Sequence, residues 1–431
     1  MKKRIISAFL FVVMLMSMLS LSSCYMLDYL VTGINTGTGS GGKEDSGSDG
    51  KDIIYNVQSG DVNNITVNSS EASDILVASK TVLSVVSVYT KFRVRTGGYF
   101  QTETEETYSG AGVIYKLDKD KGDAYVITNY HVVYNYYSKT ENKISDDISL
   151  YLYGLEATKY AIKAEYVGGS PHYDLAVLKV TNSSTLRESP AVAATVADSD
   201  KVTILEKAIA VGNPEGTGIS ATVGYVNVDS EEIYIKMIIG DEYHTIPLRV
   251  MRIDTAVNGG NSGGGLFNGN GDLIGIVNAK SADTGIENIG YAIPSNVATA
   301  VADNIIDYCD VSGEYYKEGN QNVLRSIVGI TPNVTELNVE YDTETGKIVK
   351  SEKVVVSAVE EGKLASGKLE ASDVINSITI DGTEYKVTRK FHVFDRMLKV
   401  RIGSTVVFNI TRNGVEQNVE FKIEEKDLVA Y

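Results

Sequence analysis

The sequence predicts a mainly β fold, an antiparallel barrel or sandwich with a smaller α+β unit after it. Between about Val82 and Pro294, short runs rich in Val, Ile and Tyr alternate with Gly, Asn and Asp, the signature of antiparallel strands joined by turns. The helical stretches that a doubly wound parallel sheet requires between its strands are missing from this region. With 431 residues the chain has room for two or three domains, each with its own core.

The first element is not structural. MKKRIISAFLFVVMLMSMLSLSSC has a basic start, an apolar run from Ile5 to about Leu19 and a small-residue end, the three parts of a secretory signal peptide. Cys24 directly after Leu21-Ser22-Ser23 resembles a bacterial lipobox, which implies removal of residues 1–23 and lipid on Cys24. The apolar run is short for an uncleaved membrane anchor, and either reading exports the rest of the chain. Residues 24–70 then form a linker, with GINTGTGSGGKEDSGSDG from Gly33 to Gly50 as a flexible tether.

A helix is expected at Glu71 to Lys80 and a strand at Val82 to Arg95. The strands that follow are SGAGVIYKL, DAYVITNYHVV, ISLYLYG, IKAEYVGG, DLAVLKV, EKAIAVGN, TVGYVNVDS, EEIYIKMII, HTIPLRVMRI, GLFN, DLIGIVNAKS and NIGYAIP. A helix from about Asn296 to Cys309 takes Ser295 as its N-cap, and Val297, Val301 and Ile305 form the face that packs on the sheet. The domain 71–310 ends there. The acidic, Gly-containing stretch 311–321 reads as a linker to a unit spanning 322–431. That unit has strands near Ser326–Thr331, Lys353–Ala358, Val374–Ile380 and Thr405–Arg412, and a helix at Thr388–Val400.

Composition narrows the function. The net charge of −16 falls to about −19 when Lys2, Lys3 and Arg4 leave with the leader, which disfavours nucleic acid and anionic lipid as partners. If Cys24 carries lipid, Cys309 has no disulfide partner and packs as a small hydrophobe. The sequence shows no metal-ligand cluster or cofactor fingerprint, and no cofactor is expected.

The candidate chemistry lies in VNGGNSGGGLFN, where Ser262 sits among Gly259, Gly260, Gly263, Gly264 and Gly265. Read alone this is a glycine-rich turn. It is also what a nucleophile loop needs, since missing side chains let a substrate carbonyl reach backbone N–H groups and the serine together. A serine hydroxyl needs a base, and of the four histidines His131 follows a predicted strand in VITNYHVV. Asp174 opens the apolar strand DLAVLKV, either as a turn residue or as the carboxylate that orients a histidine. The order His131, Asp174, Ser262 is that of chymotrypsin-like proteases, which are also β barrels.

From Val82 to Cys309 the chain resembles the HtrA serine proteases. The matching segments are GAGVIY, TNYHVV, DLAVLKV, AVGNPEGTGISATVGYVN, IDTAVNGGNSGGGLFN, GDLIGI and IGYAIPSN, in the family's order. The resemblance implies a chymotrypsin/trypsin-like double β-barrel followed by a PDZ domain. It also implies that His131 is general base and then acid, that Asp174 orients it, that Ser262 forms the acyl-enzyme, and that N–H groups of Gly260 and Ser262, with Asn261 as a further candidate, form the oxyanion hole. The family usually has proline where this chain has Gly259 and Gly265, so a loop that can rest in an inactive shape is expected.

The resemblance to trypsin-like folds further implies an S1 pocket with Ala256, six residues before Ser262, at its base and Val277, Asn278, Ala279, Gly290 and Tyr291 around it, which would favour a small or medium aliphatic P1 residue. In the C-terminal unit Ile327, Val328, Gly329 and Ile330 resemble the carboxylate-binding loop of a PDZ domain, which implies capture of C-terminal peptides by strand addition. The partners implied are unfolded proteins or peptides, the membrane through the lipid, and two further copies in a homotrimer. The rival reading is a protease-like sensor that binds exposed C-termini and cleaves little.

Overall fold

The computed structural model describes residues 70–96, 102–239, 242–278, 289–344 and 346–431. The leader, Cys24, the Gly/Ser tether and Ala279 lie outside the described residues. Helix α1 (Ser70–Thr81) leads into two closed six-stranded antiparallel barrels. The first contains β1 (Val85–Thr96), β2 (Thr102–Asp118), β3 (Asp123–Thr128), β4 (Asp147–Leu152), β5 (Ile162–Ser170) and β6 (Leu175–Val180), in the order β1-β2-β3-β6-β5-β4. The second contains β7 (Lys207–Gly212), β8 (Ser220–Ile239), β9 (Glu242–Ile253), β10 (Gly265–Phe267), β11 (Leu273–Asn278) and β12 (Gly290–Pro294), in the order β10-β11-β12-β9-β8-β7.

The alternation read from sequence decides which side chains fill each barrel. In β4, Ile148, Leu150 and Leu152 are buried while the residues between them are not. They join Val86, Val88, Ile114, Val126 and Leu178 in the first barrel's core. Ala208, Val226, Met251, Leu266, Ile274 and Ala292 fill the second.

Three elements of the barrel region differ from expectation, and in the C-terminal unit the strand expected near Ser326–Thr331 is broken at Ile327–Gly329 into two strands of different sheets. The strand around DAYVITNYHVV stops at Thr128, and Tyr130–Val133 forms a single helical turn, α2. Side chains of Thr128, Asn129 and Thr90 compete for the ladder there, reaching the carbonyls of Ala111, Asp174 and Val132 at 2.7, 2.8 and 2.9 Å. TVGYVNVDS and EEIYIKMII are one strand, β8, because bulges after Val226 and Val228 absorb the polar junction. Ser295 is the first residue of its helix, not its cap, and its hydroxyl donates to the carbonyl of Ala197 at 2.8 Å.

After a short helix α3 (Ser184–Glu188), helix α4 (Ser295–Cys309) packs on both barrels, with Val297, Val301 and Ile305 buried as the periodicity predicts. Burial pushes the Cys309 thiol up to about 12, so it stays protonated. The stretch after α4 is held to it by backbone bonds, Tyr315 and Lys317 donating to the carbonyls of Asp307 and Tyr308 at 3.0 and 2.9 Å. Fully buried Asn304 donates to the carbonyl of Leu324 at 2.8 Å and accepts its N–H at 2.9 Å, and Lys179 pairs with Asp310 at 2.8 Å.

C-terminal to it, β13 (Leu324–Ser326) pairs with β20 (Leu428–Ala430). A separate six-stranded sheet contains β14 (Ile330–Asp342), β15 (Lys347–Val359), β16 (Val374–Ile380), β17 (Thr383–Lys386), β18 (Thr405–Arg412) and β19 (Val415–Lys422), and β14 lies at its edge. Helix α5 (Lys390–Met397) lies against β14, leaving a groove lined by Ile327 to Ile330, Val393 and Met397. On the face of α5 toward the barrels, half-buried Arg249 pairs with Asp200 and Asp395, and Asp200 also takes Arg396 at 2.6 Å and His392 at 3.4 Å.

Candidate active site

Asp174 is fully buried at the mouth of β6 with φ +48°, a left-handed backbone that Asp tolerates better than most residues. A carboxylate there is costly unless donors surround it. His131 supplies two, its backbone N–H at 3.0 Å and its ring Nδ1 at 2.7 Å. Asn278 supplies a third, its amide donating at 2.9 Å. Because the carboxylate only accepts, in the neutral imidazole Nδ1 carries the proton and Nε2 presents its lone pair.

The loop bearing Ser262 is held by bonds to β2, to β11 and to the turn after β7. Ala111 donates its N–H to the carbonyl of Ser262 at 2.9 Å, and Gly263 and Val277 tie the loop to β11 through bonds of 2.9 and 2.8 Å. Asn213 and Glu215, in the turn after β7, donate to the carbonyls of Gly260 and Gly259 at 3.3 and 2.8 Å. Both carbonyls are thereby engaged by that turn. The excess of glycine follows from these close approaches. Gly260 has φ +93° and a Cβ would fall 2.2 Å from the carbonyl oxygen of Asn213; Gly263 has φ +85° and a Cβ would fall 2.2 Å from that of Ala111.

The donors around Ser262 divide clearly. Asn261 spends its N–H on the carbonyl of Asn258 at 3.1 Å, and Gly264 spends its own on Asn261 at 3.0 Å. Asn261 is therefore removed from the candidate oxyanion donors. Among the described residues, no acceptor takes the N–H of Gly260 or of Ser262.

The expected pocket residues scatter more. Val277 is enclosed in the second barrel's core and its neighbour Asn278 faces Asp174, so neither side chain has the wall role expected of it. Ala256 is exposed, its carbonyl accepting from Thr222 at 2.9 Å, while Gly290 is buried beside Val257 and Tyr291 is half-buried on β12. His172 stacks on Tyr431 with ring centroids 4.4 Å apart, and it is His131 that bonds Asp174. Sequence reasoning missed Asn278 as a partner of Asp174, and its only signal was an amide in an otherwise apolar strand.

A family model described as a trypsin-like peptidase domain matches residues 110–276. The chain is 31% identical over 384 residues to the serine protease Do-like HtrA of Lactococcus lactis subsp. lactis (strain IL1403), covering 84% of each chain. It belongs to the HtrA family. The protein is accordingly a serine endopeptidase. The serine protease Do-like HtrA of Bacillus subtilis (strain 168) is 30% identical over 336 residues, covering 76% of this chain and 66% of that one. A solved HtrA-type protease, AlgW with tripeptide, matches 84% of this chain and 98% of its own at 25% identity and a TM-score of 0.48.

Gly259 and Gly265 sit in different surroundings. A Cβ on Gly259 would meet nothing within 4 Å, whereas one on Gly265 would fall 2.3 Å from the ring of Phe267. At Gly265 the aromatic ring fills the space a proline would need.

Proposed function

We propose that His131, Asp174 and Ser262 are the catalytic triad of this endopeptidase. Nε2 of His131 takes the Ser262 proton as Oγ attacks the scissile carbonyl, and Asp174 stabilises the imidazolium that forms. The N–H groups of Gly260 and Ser262 hold the tetrahedral oxyanion. His131 then protonates the leaving amine, and a water activated by the same nitrogen hydrolyses the acyl-enzyme. The observation that carries this reading is the fully buried Asp174, with three donors that leave Nε2 as an acceptor, next to a loop with two unspent N–H groups.

The substrates we propose are unfolded or misassembled proteins of the cell envelope, cut after small or medium aliphatic residues, by an enzyme exported and held to the membrane by lipid on Cys24. The leader sequence supports export, and a relative, the DegP protease of Escherichia coli (strain K12), is named as periplasmic. We assign residues 322–431 as a PDZ domain whose Ile327 to Ile330 loop receives the carboxylate of a C-terminal peptide. The groove at that loop and the unpaired edge of β14 support this. A homotrimer is proposed by family resemblance.

The test is cleavage of unfolded casein by the wild type beside Ser262→Ala, with mass spectrometry of the fragments. Wild-type cleavage after Val or Ala, absent in the variant, is expected. Equal cleavage by both would remove Ser262 as nucleophile.

A further inference from the structure

The groove uses only the start of a much longer edge. α5 has eight residues and covers about 12 Å at 1.5 Å per residue, whereas the 13 residues of β14 extend about 44 Å. About 30 Å of strand edge therefore runs on past the helix with no strand paired to it among the described residues. The irregularities that blunt an edge, Pro332 and bulges after Thr331 and Val334, all lie in the first half. From Glu336 to Asp342 the ladder with β15 is unbroken.

That second half is apolar and open. Leu337, Val339 and Tyr341 lie on one face of the strand at 59, 58 and 66% exposure, with Ile348 opposite Tyr341 at 53%. A long, unprotected apolar edge of this kind is a template for another strand. The charges around it select the occupant. On β15, Lys347 and Lys350 already pair with Glu206 and Asp229, and Lys353 pairs with Glu336. Glu340 has no ion pair among the described residues. A second copy of this chain, with its net charge of −16, would bring like charge to this edge.

We propose that Glu336 to Asp342 is a second docking segment, which adds an extended client segment of alternating apolar and basic residues as a further strand. The segment would lie upstream of a C-terminus held at Ile327 to Ile330. The inference thus rests on the peptide-binding reading of the groove and extends it. A client would be selected for exposed, β-prone, cationic sequence as well as for its last few residues.

Fluorescence anisotropy on the full chain carrying Ser262→Ala tests this with two labelled probes. One is a tetrapeptide with a C-terminal valine; the other is a dodecapeptide in which eight alternating lysines and valines precede the same four residues. The dodecapeptide is expected to bind about tenfold tighter. Adding Leu337→Thr, Val339→Thr and Tyr341→Thr, exposed positions where threonine keeps strand propensity, is expected to erase that gain and leave tetrapeptide affinity unchanged. Equal affinities in the parent, or a gain that survives the triple substitution, would overturn the proposal. If the tetrapeptide fails while the dodecapeptide binds through Leu337, Val339 and Tyr341, the groove reading falls and the docking segment stands. If neither binds, both fall. Self-association of the parent that the triple substitution abolishes would make the edge a contact between copies and also refute the proposal.

Discussion

Gly263→Ala probes the nucleophile loop most directly. Its left-handed backbone costs an alanine about 1–2 kcal/mol. The added methyl would lie 2.2 Å from the Ala111 carbonyl and 2.3 Å from Thr128 Oγ1, where real contacts essentially never fall under 3.0 Å. Relieving that overlap requires about 1 Å of movement in the residue next to Ser262, at a further cost of about 1–3 kcal/mol. A displacement of that size at a reacting group lowers the rate about 100-fold. Gly259→Ala is the control, because its methyl meets nothing within 4 Å. The assay is kcat/KM on a casein-derived peptide, with thermal melts followed by circular dichroism. Gly263→Ala is expected to lose activity and melt earlier, and Gly259→Ala to match wild type. A fully active, equally stable Gly263→Ala, or a Gly259→Ala that loses as much, would refute the idea that close backbone approach dictates these glycines.

Two further outcomes follow from buried charge. Asn278→Ala removes a donor from the fully buried Asp174, a bond to a charged group worth about 1.5–3 kcal/mol. A fall of about 10- to 100-fold in kcat with little change in KM is expected, and unchanged kcat would show that the amide does not position Asp174. Asp200 behaves differently. Burial alone would raise its carboxyl, but His392, Arg249 and Arg396 hold it well below the usual carboxylate range. A depressed carboxyl adds stability above its unfolded value of about 4, and that stability is lost as pH falls below it. Asp200→Asn should therefore flatten the loss of melting temperature between about pH 5 and pH 3, and parallel curves for variant and wild type would count against the pairing.

Much of the site was legible because it is local. The run GGNSGGG around Ser262 marks a loop without side chains, and Asp174 at the head of an apolar strand marks a carboxylate that needs partners. Asn278 was misread because the resemblance gave it a pocket wall, while the pleat puts it on the face opposite Val277 and aims it at Asp174. Asn261 was counted as an oxyanion donor because sequence cannot say which N–H a turn consumes, and here Asn258 takes it. The stretch after α4 reads as a linker by composition. It is seated because Tyr315 and Lys317 donate to the carbonyls of Asp307 and Tyr308 and Gly169 donates to that of Gln321, backbone bonds that composition does not reveal.

The sequence by itself determined the β class, the chain order of His131, Asp174 and Ser262, and the glycine-rich loop, since two-residue alternation and turn chemistry are written in neighbouring residues. Tertiary structure alone decided that β1 closes on β4 and β7 on β10, that three donors converge on Asp174, and that no acceptor among the described residues takes the N–H groups of Gly260 and Ser262. Those outcomes depend on which strands meet and which hydrogen bonds are already satisfied, and both are settled by contacts between residues far apart in the chain.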